Sequence, residues 1–435
     1  MQITFLGAGS SIFAKNILGD VLLTPSLHSI GIHLYDIDSQ RLEDSQRLLE
    51  NLNQNINSGR AVIRSFCGVE QRGEALRGSD FVVNAIQVGG YDPATKIDFE
   101  LPARYGLRQT IGDTLGIGGI FRGIRTLQVM FPIIREMEEL CPKAILLNYA
   151  NPMSIVTGAL LDYSNISTVG LCHSVQVCVP RLLKYTGFEI DPEEVQWHIA
   201  GINHMAWLLS ISYNGEDLYP QIRQRARELV DHPDKLRLEL MRRFGYYVTE
   251  SSEHNAEYSP YWIKGAYPEL IEQYRIPLDE YPRRCEQQIQ EWEQRREELV
   301  HNKKIEHSHS YEYAAGIMDS VVSGRVRRIH ANVRNRGLIP NLPSDAVVEL
   351  PCLVDRNGVQ GVYAGRIPTQ CAALNRAAIN VQQMTIEAAL SGSREALYQA
   401  ALLDPHTAAE LSIDQIVSLC DEMLAAHGDL CRIIQ

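Results

Sequence analysis

Residues 1 to about 200 alternate short apolar runs with longer helix-like stretches. The runs are 3–6, 30–35, 81–86, 145–147 and 168–171, and stretches such as 40–52 and 123–140 lie between them. Strand, helix and strand in repeated order predict a parallel sheet with right-handed crossovers, the doubly wound α/β class. Beyond 200 the pattern changes. Residues 207–213 read as a strand closed by the turn Asn214-Gly215, and 347–363 have strand character around a turn at 355–358. Segments 223–244 and 280–304 read as charged helices, the second a solvated face, and 371–389, 394–403 and 413–427 as closing helices. The expectation is a Rossmann-type lobe over 1–200 with a second α+β lobe over 201–435 packed against it. No internal repeat or low-complexity segment interrupts this plan.

Composition narrows the partners. Apolar residues make up 45 % and charged residues 22 %, ordinary for a soluble globular chain. A formal charge of −12 argues against nucleic acid, whose phosphates require basic faces. No run reaches the roughly eighteen apolar residues of a membrane span, so no membrane association is expected. The chain enters a strand at once, with no basic and apolar leader ahead of it, so no secretory signal is expected. Nine cysteines, odd in number and scattered, suit a reducing cytoplasm with most of them, Cys178 included, buried as small apolar residues.

Candidate chemistry begins with Gly7-Ala-Gly9, placed directly after the first apolar run. Such a turn lets backbone approach a pyrophosphate, and a helix opening at Ser10 and Ser11 aims its positive end at the phosphates. Asp36, ending the second run, can accept bonds from ribose hydroxyls and favours NAD over NADP; Arg41 nearby leaves that preference open. Ile12 stands where a third glycine would complete the fingerprint. The segment Asn84-Ala-Ile-Gln-Val-Gly-Gly90 suits a loop along the nicotinamide half. A thiol and an imidazole then recur at loop-like ends: Cys172 just beyond an apolar run, and His204 after Gly201-Ile-Asn203. Together they would leave open positions on a divalent metal for hydroxyls or water. His307-Ser-His309 resembles a metal pair but sits in a polar stretch that predicts surface histidines, and Glu253-His254 suits either a base with its orienter or a structural bond network.

Several strings in matched order resemble family 4 glycoside hydrolases nearly end to end. They are Gly7-Ala-Gly-Ser-Ser11, Ile111-Gly-Asp-Thr-Leu-Gly-Ile-Gly-Gly119, Leu147-Asn-Tyr-Ala-Asn-Pro-Met153, Gly170-Leu-Cys-His-Ser-Val-Gln176 and Gly201-Ile-Asn-His-Met205. Three more resemble the members that cleave α-galactosides: Thr249-Glu-Ser-Ser-Glu-His254, Pro277-Leu-Asp-Glu-Tyr-Pro-Arg-Arg-Cys285 and Asp404-Pro-His-Thr-Ala-Ala-Glu410. The resemblance implies NAD and Mn²⁺ as cofactors and a route outside the usual two-carboxylate scheme. NAD⁺ takes hydride from C3 of the sugar, a base removes the acidified C2 proton, and the C1 leaving group departs. Water then adds, and the held NADH returns the hydride. It further implies a homodimer or homotetramer.

By the same resemblance Cys172 and His204 are the metal ligands and Asn151 binds sugar. Asp113 makes a catalytic tyrosine more basic, with Tyr258 assigned as that base and Tyr261 its rival. Arg284, or its neighbour Arg283, binds substrate. Two positions depart from the pattern. His173 stands where many α-glucosidase members carry an acidic proton donor; an imidazolium can do that work or can orient the metal site. Lys96 stands where several relatives show a sugar-contacting arginine. An α-galacturonidase or α-glucosidase of the same family remains open, as does a plain NAD-dependent sugar dehydrogenase that would release NADH.

Overall fold

The apolar runs of the first half are strands buried on both faces, as a parallel sheet between helices requires. The computed structural model describes all 435 residues. Strands β1 (Gln2–Leu6), β2 (Gly31–Asp36), β3 (Val62–Cys67), β4 (Phe81–Asn84), β5 (Ile145–Asn148) and β6 (Ser167–Gly170) lie parallel in the order β3-β2-β1-β4-β5-β6. Their side chains alternate between two cores: Ile3, Phe5, Val83 and Leu147 enter one, while Leu6, Val82 and Leu146 enter the other. β3 is absent from the predicted runs. As an edge strand it keeps Val62 and Arg64 exposed, so it never reads as a continuous apolar run.

The second half extends the same sheet. Strands β7 (Gln196–Ile202), β8 (Met205–Tyr213), β9 (Glu216–Asp217), β10 (Tyr247–Val248), β11 (Arg327–Arg334), β12 (Val347–Asp355) and β13 (Gly358–Gly361) are antiparallel, and the path runs β6-β11-β12-β7-β8-β10. The seams pair Asn332 with Gly170 and Glu349 with Gly201. A division at 200/201 therefore passes through β7, and two late strands sit between β6 and β7. The halves share one sheet.

The closing helices Thr369–Ser391, Arg394–Leu403 and Ile413–His427 return to the first half, where Val381, Leu397 and Leu419 share a core with Ile120, Phe121 and Ile124. Helix Gly116–Leu140 is long and apolar enough to cross a membrane by composition, yet most of it is buried in this core. Its Arg125 is fully buried and forks onto Asp98 at 3.0 and 2.6 Å, and His427 meets the same carboxylate at 3.0 Å. Removing one partner of such a buried group costs about 3–5 kcal/mol. The same guanidinium bonds the Val88 carbonyl at 3.1 Å, so the network also fixes the loop after β4.

Two further expectations are corrected. The charged stretch 223–244 is two helices, Tyr219–Ala226 and Lys235–Phe244, with Pro233 in the turn between them. His307 is not a surface residue: it is buried against Asp20 of helix Ser11–Leu23, Nε2 to Oδ1 2.7 Å, whereas His309 is exposed.

Candidate active site

The cofactor edge is made mostly of backbone. Gly7 turns at φ +86°, and a Cβ there would lie 2.7 Å from the Ala85 carbonyl, so only glycine lets β1 pass so close to the loop after β4. The N–H groups of Gly7 and Ala8 both donate to the Tyr35 carbonyl at 3.0 Å. Asp36 ends β2 and accepts from Gly9 N–H at 2.6 Å, and a Cβ on Gly9 would strike that carboxylate at 2.8 Å. Ser10 caps helix Ser11–Leu23 without a side-chain hydrogen bond, so its first-turn N–H groups stay free for an anion. Ile12 is exposed, so the packing task of a third glycine does not arise. A dinucleotide fits this cradle. Two side chains are engaged inside the fold instead: the Ser11 hydroxyl meets Ser45 at 2.7 Å, and the Asn84 amide donates to Asn148 at 2.8 Å. Arg41 is exposed beside Asp38.

Cys172 follows β6, and His204 occupies the tight turn joining β7 to β8. Their Sγ and Nε2 atoms lie 3.4 Å apart. The other ring nitrogen, Nδ1, is 3.1 Å from both the Thr114 and the Tyr258 hydroxyls, an arrangement that aims Nε2 at the thiol. Tyr313 grips the Cys172 backbone from both sides, accepting from its N–H and donating to its carbonyl at 3.0 Å each. Burial pushes the Cys172 thiol up, and the charges of Glu349 and Glu250 push it further. A divalent cation reverses that balance, and a sulfur donor beside an imidazole suits one. His173 points outward, Nδ1 3.6 Å from Glu312 Oε1.

Of the polar groups expected to meet sugar, Asn151 joins Asp113, whereas Arg284 and Lys96 pair with other carboxylates. The Asp113 carboxylate accepts from Thr114 Oγ1 at 2.7 Å and from Asn151 Nδ2 at 2.9 Å. Burial alone would raise its pKa, but Arg122, His254 and His204 outweigh that and hold it below the usual carboxylate range. Tyr258 is buried and lies against His204; burial first, then the charges of Asp113 and Glu257, push its phenol up. Tyr261 is exposed and packs near Phe244 and Trp262. Arg284 reaches from helix Glu280–His301 to Glu280 at 2.8 Å and to Glu253 at 3.4 Å. Arg283 instead binds the Leu278 carbonyl at 2.6 Å and Glu280 at 2.9 Å. Lys96 is paired with Asp92 at 2.6 Å.

Four groups escaped the sequence reading. Arg122 is buried, donates to the Tyr281 hydroxyl at 3.1 Å, and is held strongly charged by Tyr281 and Asp113 although burial opposes it. Its signal was a charge in an otherwise apolar, glycine-rich helix start. Glu257 accepts from the N–H groups of Thr110, Ile111 and Gly112 at 2.9, 3.2 and 2.8 Å, clamping the loop that carries Asp113; burial pushes it up to about 7 against those bonds. Glu349, fully buried behind His204, is likewise pushed up to about 7. Glu250, not Glu253, partners His254: Nδ1 lies 3.4 Å from Glu250 Oε1 and 2.9 Å from the Ser251 hydroxyl. Their four-residue spacing was the available signal.

Comparison with known proteins identifies the family. Residues 2–188 match the family model described as family 4 glycosyl hydrolase, and 199–407 match that family's C-terminal domain. The chain is 56 % identical over 430 residues to an alpha-galactosidase of Bacillus subtilis strain 168, covering 98 % of each. The crystal structure of lplD from Bacillus subtilis superposes with a TM-score of 0.86 at 26 % identity, covering 98 % of this chain and 99 % of that one. A 6-phospho-alpha-glucosidase from gut microorganisms, solved in complex with NAD and Mn²⁺, shares the fold at a TM-score of 0.79 and 21 % identity, over 99 % of this chain and 98 % of that one. The chain belongs to family 4 of the glycosyl hydrolases.

Proposed function

We propose that the chain hydrolyses α-galactosides with NAD⁺ and Mn²⁺ as cofactors, working as a homo-oligomer in a reducing cytoplasm. One observation carries the reading: a nucleotide cradle at Gly7–Gly9 and a thiol–imidazole pair 3.4 Å apart open on the same strand-end edge. The 56 % identity to an alpha-galactosidase supports the substrate class. Nine unpaired cysteines support the compartment.

When bound, NAD⁺ exchanges a hydride with the sugar ring while Mn²⁺ polarises the neighbouring oxygen, which makes the adjacent ring proton removable. The protein's own part is positioning and proton transfer. Cys172 and His204 would hold the ion, and Asp36 with the helix at Ser10 would hold the nucleotide. Asn151 presents its amide beside the ring and is fixed by Asp113. Tyr258 takes the ring proton in the family-based assignment, and the negative charge of Asp113 makes its phenolate more basic. Tyr281 is a second reading that one contact favours: its oxygen accepts from the Arg122 guanidinium at 3.1 Å, which opposes the upward push that burial gives its phenol. His173, exposed beside Glu312, would give its proton to the departing oxygen. Arg284 and Lys96 each already face a carboxylate, which suits a neutral hexoside better than a uronate or sugar phosphate.

The test is p-nitrophenyl α-galactoside offered to dialysed enzyme. Release of nitrophenol is expected only with both NAD⁺ and Mn²⁺ restored, with no NADH accumulating. NADH rising in step with product would make the protein a dehydrogenase.

A further inference from the structure

Glu250 is a half-buried carboxylate with no lysine or arginine partner. Its side chain is 19 % exposed, and the ion-pairing group it meets is the His254 imidazole at 3.4 Å. The ligating atoms of His204, Glu250 and His254 lie within 4.8 Å of one another, and the Cys172 thiol is 3.4 Å from His204.

The backbone repeats the message. His204 and Glu250 adopt φ of +64° and +70°, the left-handed region that branched-out side chains rarely enter. Such conformations persist where the surrounding structure imposes them, and they gather at ligand sites. Here both belong to donors of one cluster.

We infer that Glu250 is a third protein ligand of the divalent ion, beside Cys172 and His204, with His254 and Ser251 setting the carboxylate's direction. This rests on the reading of Cys172 and His204 as the metal pair. A carboxylate oxygen also shifts a thiolate–imidazole site toward harder ions, so Glu250 favours Mn²⁺ over softer competitors such as Cd²⁺.

The experiment titrates Mn²⁺ into metal-free, full-length protein with NAD⁺ present, reading free ion by its electron paramagnetic resonance signal. Glu250→Gln keeps an acceptor for His254 but removes the charge. Its Mn²⁺ Kd is expected to rise at least about tenfold, with Cd²⁺ affinity falling less. Glu250→Asp, which keeps the charge on a shorter stem, is expected to fall between it and the parent, and serves if the glutamine variant does not fold. Circular dichroism checks the fold of each. Mn²⁺ affinity within about twofold of the parent in Glu250→Gln and Glu250→Asp, alongside its loss in Cys172→Ser, overturns the inference and leaves the metal pair standing. Unchanged affinity in Cys172→Ser as well removes the pair, and the inference with it.

Discussion

The edge proposed to hold the cofactor and the edge proposed to hold the metal open from one sheet but are built by opposite means. At Gly7–Gly9 the work is done by backbone: a left-handed turn, two N–H groups on one carbonyl, a free helix start and one carboxylate from the neighbouring strand. All of it comes from residues 7–36. At Cys172 and His204 the work is done by side chains drawn from segments 113–122, 151, 172, 204, 250–258 and 281–284. A site made from adjacent backbone needs only that β1 and β2 pair. A site made from scattered side chains needs the antiparallel extension and the helices carrying 250–258 and 281–284 in place, so clamps such as Glu257 on loop 110–112 become part of the machinery.

The sharpest way to break the contrast is at the metal edge. Cys172→Ser is expected to lower kcat about 10³-fold through lost charge stabilisation while NAD⁺ affinity stays near the parent's, read by steady-state kinetics and nucleotide fluorescence. Retained activity with bound metal intact would contradict the ligand assignment. The two tyrosines come next. Replacing the true base by phenylalanine is expected to cost about 10²-fold or more in kcat, against a smaller loss at the other position, so Tyr258→Phe and Tyr281→Phe measured side by side separate the readings. At the cofactor edge, Gly7→Val forces a side chain against Ala85 at a positive φ. It is expected to weaken NAD⁺ binding about 10- to 100-fold and leave Mn²⁺ affinity unchanged, by titration of each.

A separate effect falls on stability. Burial raises Glu349 from 4.5 to about 7, so folding favours its protonated form. That contribution is fully present below about pH 4.5 and is lost as pH rises through about 7, on the order of 3 kcal/mol. Denaturant unfolding of the metal-free protein should therefore show stability falling across that window, and Glu349→Gln should flatten part of the slope. Equal slopes in both proteins would contradict a raised Glu349.

The same contrast explains what the sequence disclosed. The doubly wound half was legible because double burial writes β1, β4 and β5 as apolar runs, and because Gly7 and Asp36 sit at strand ends. The strand β3 was hidden by its polar edge face. At the metal edge, Cys172, His204, Asp113 and Asn151 were singled out by their strings, and the fold draws them together. Arg122, Glu250 and Glu257 were missed because their importance is geometric: a lone charge in an apolar helix start and a four-residue spacing are weak signals, and a loop clamp has no local signature at all. His307 misled for the converse reason, since a polar stretch can still send one ring into a buried pair with Asp20.

The central claim is that both edges act on one sugar ring, with a ring proton removed and replaced during each turnover. Hydrolysis run in deuterium oxide, followed by mass spectrometry and proton resonance of the released sugar, tests it most directly. One deuterium at C2 of the product is the expected result; galactose released with its C2 proton fully retained would contradict the account.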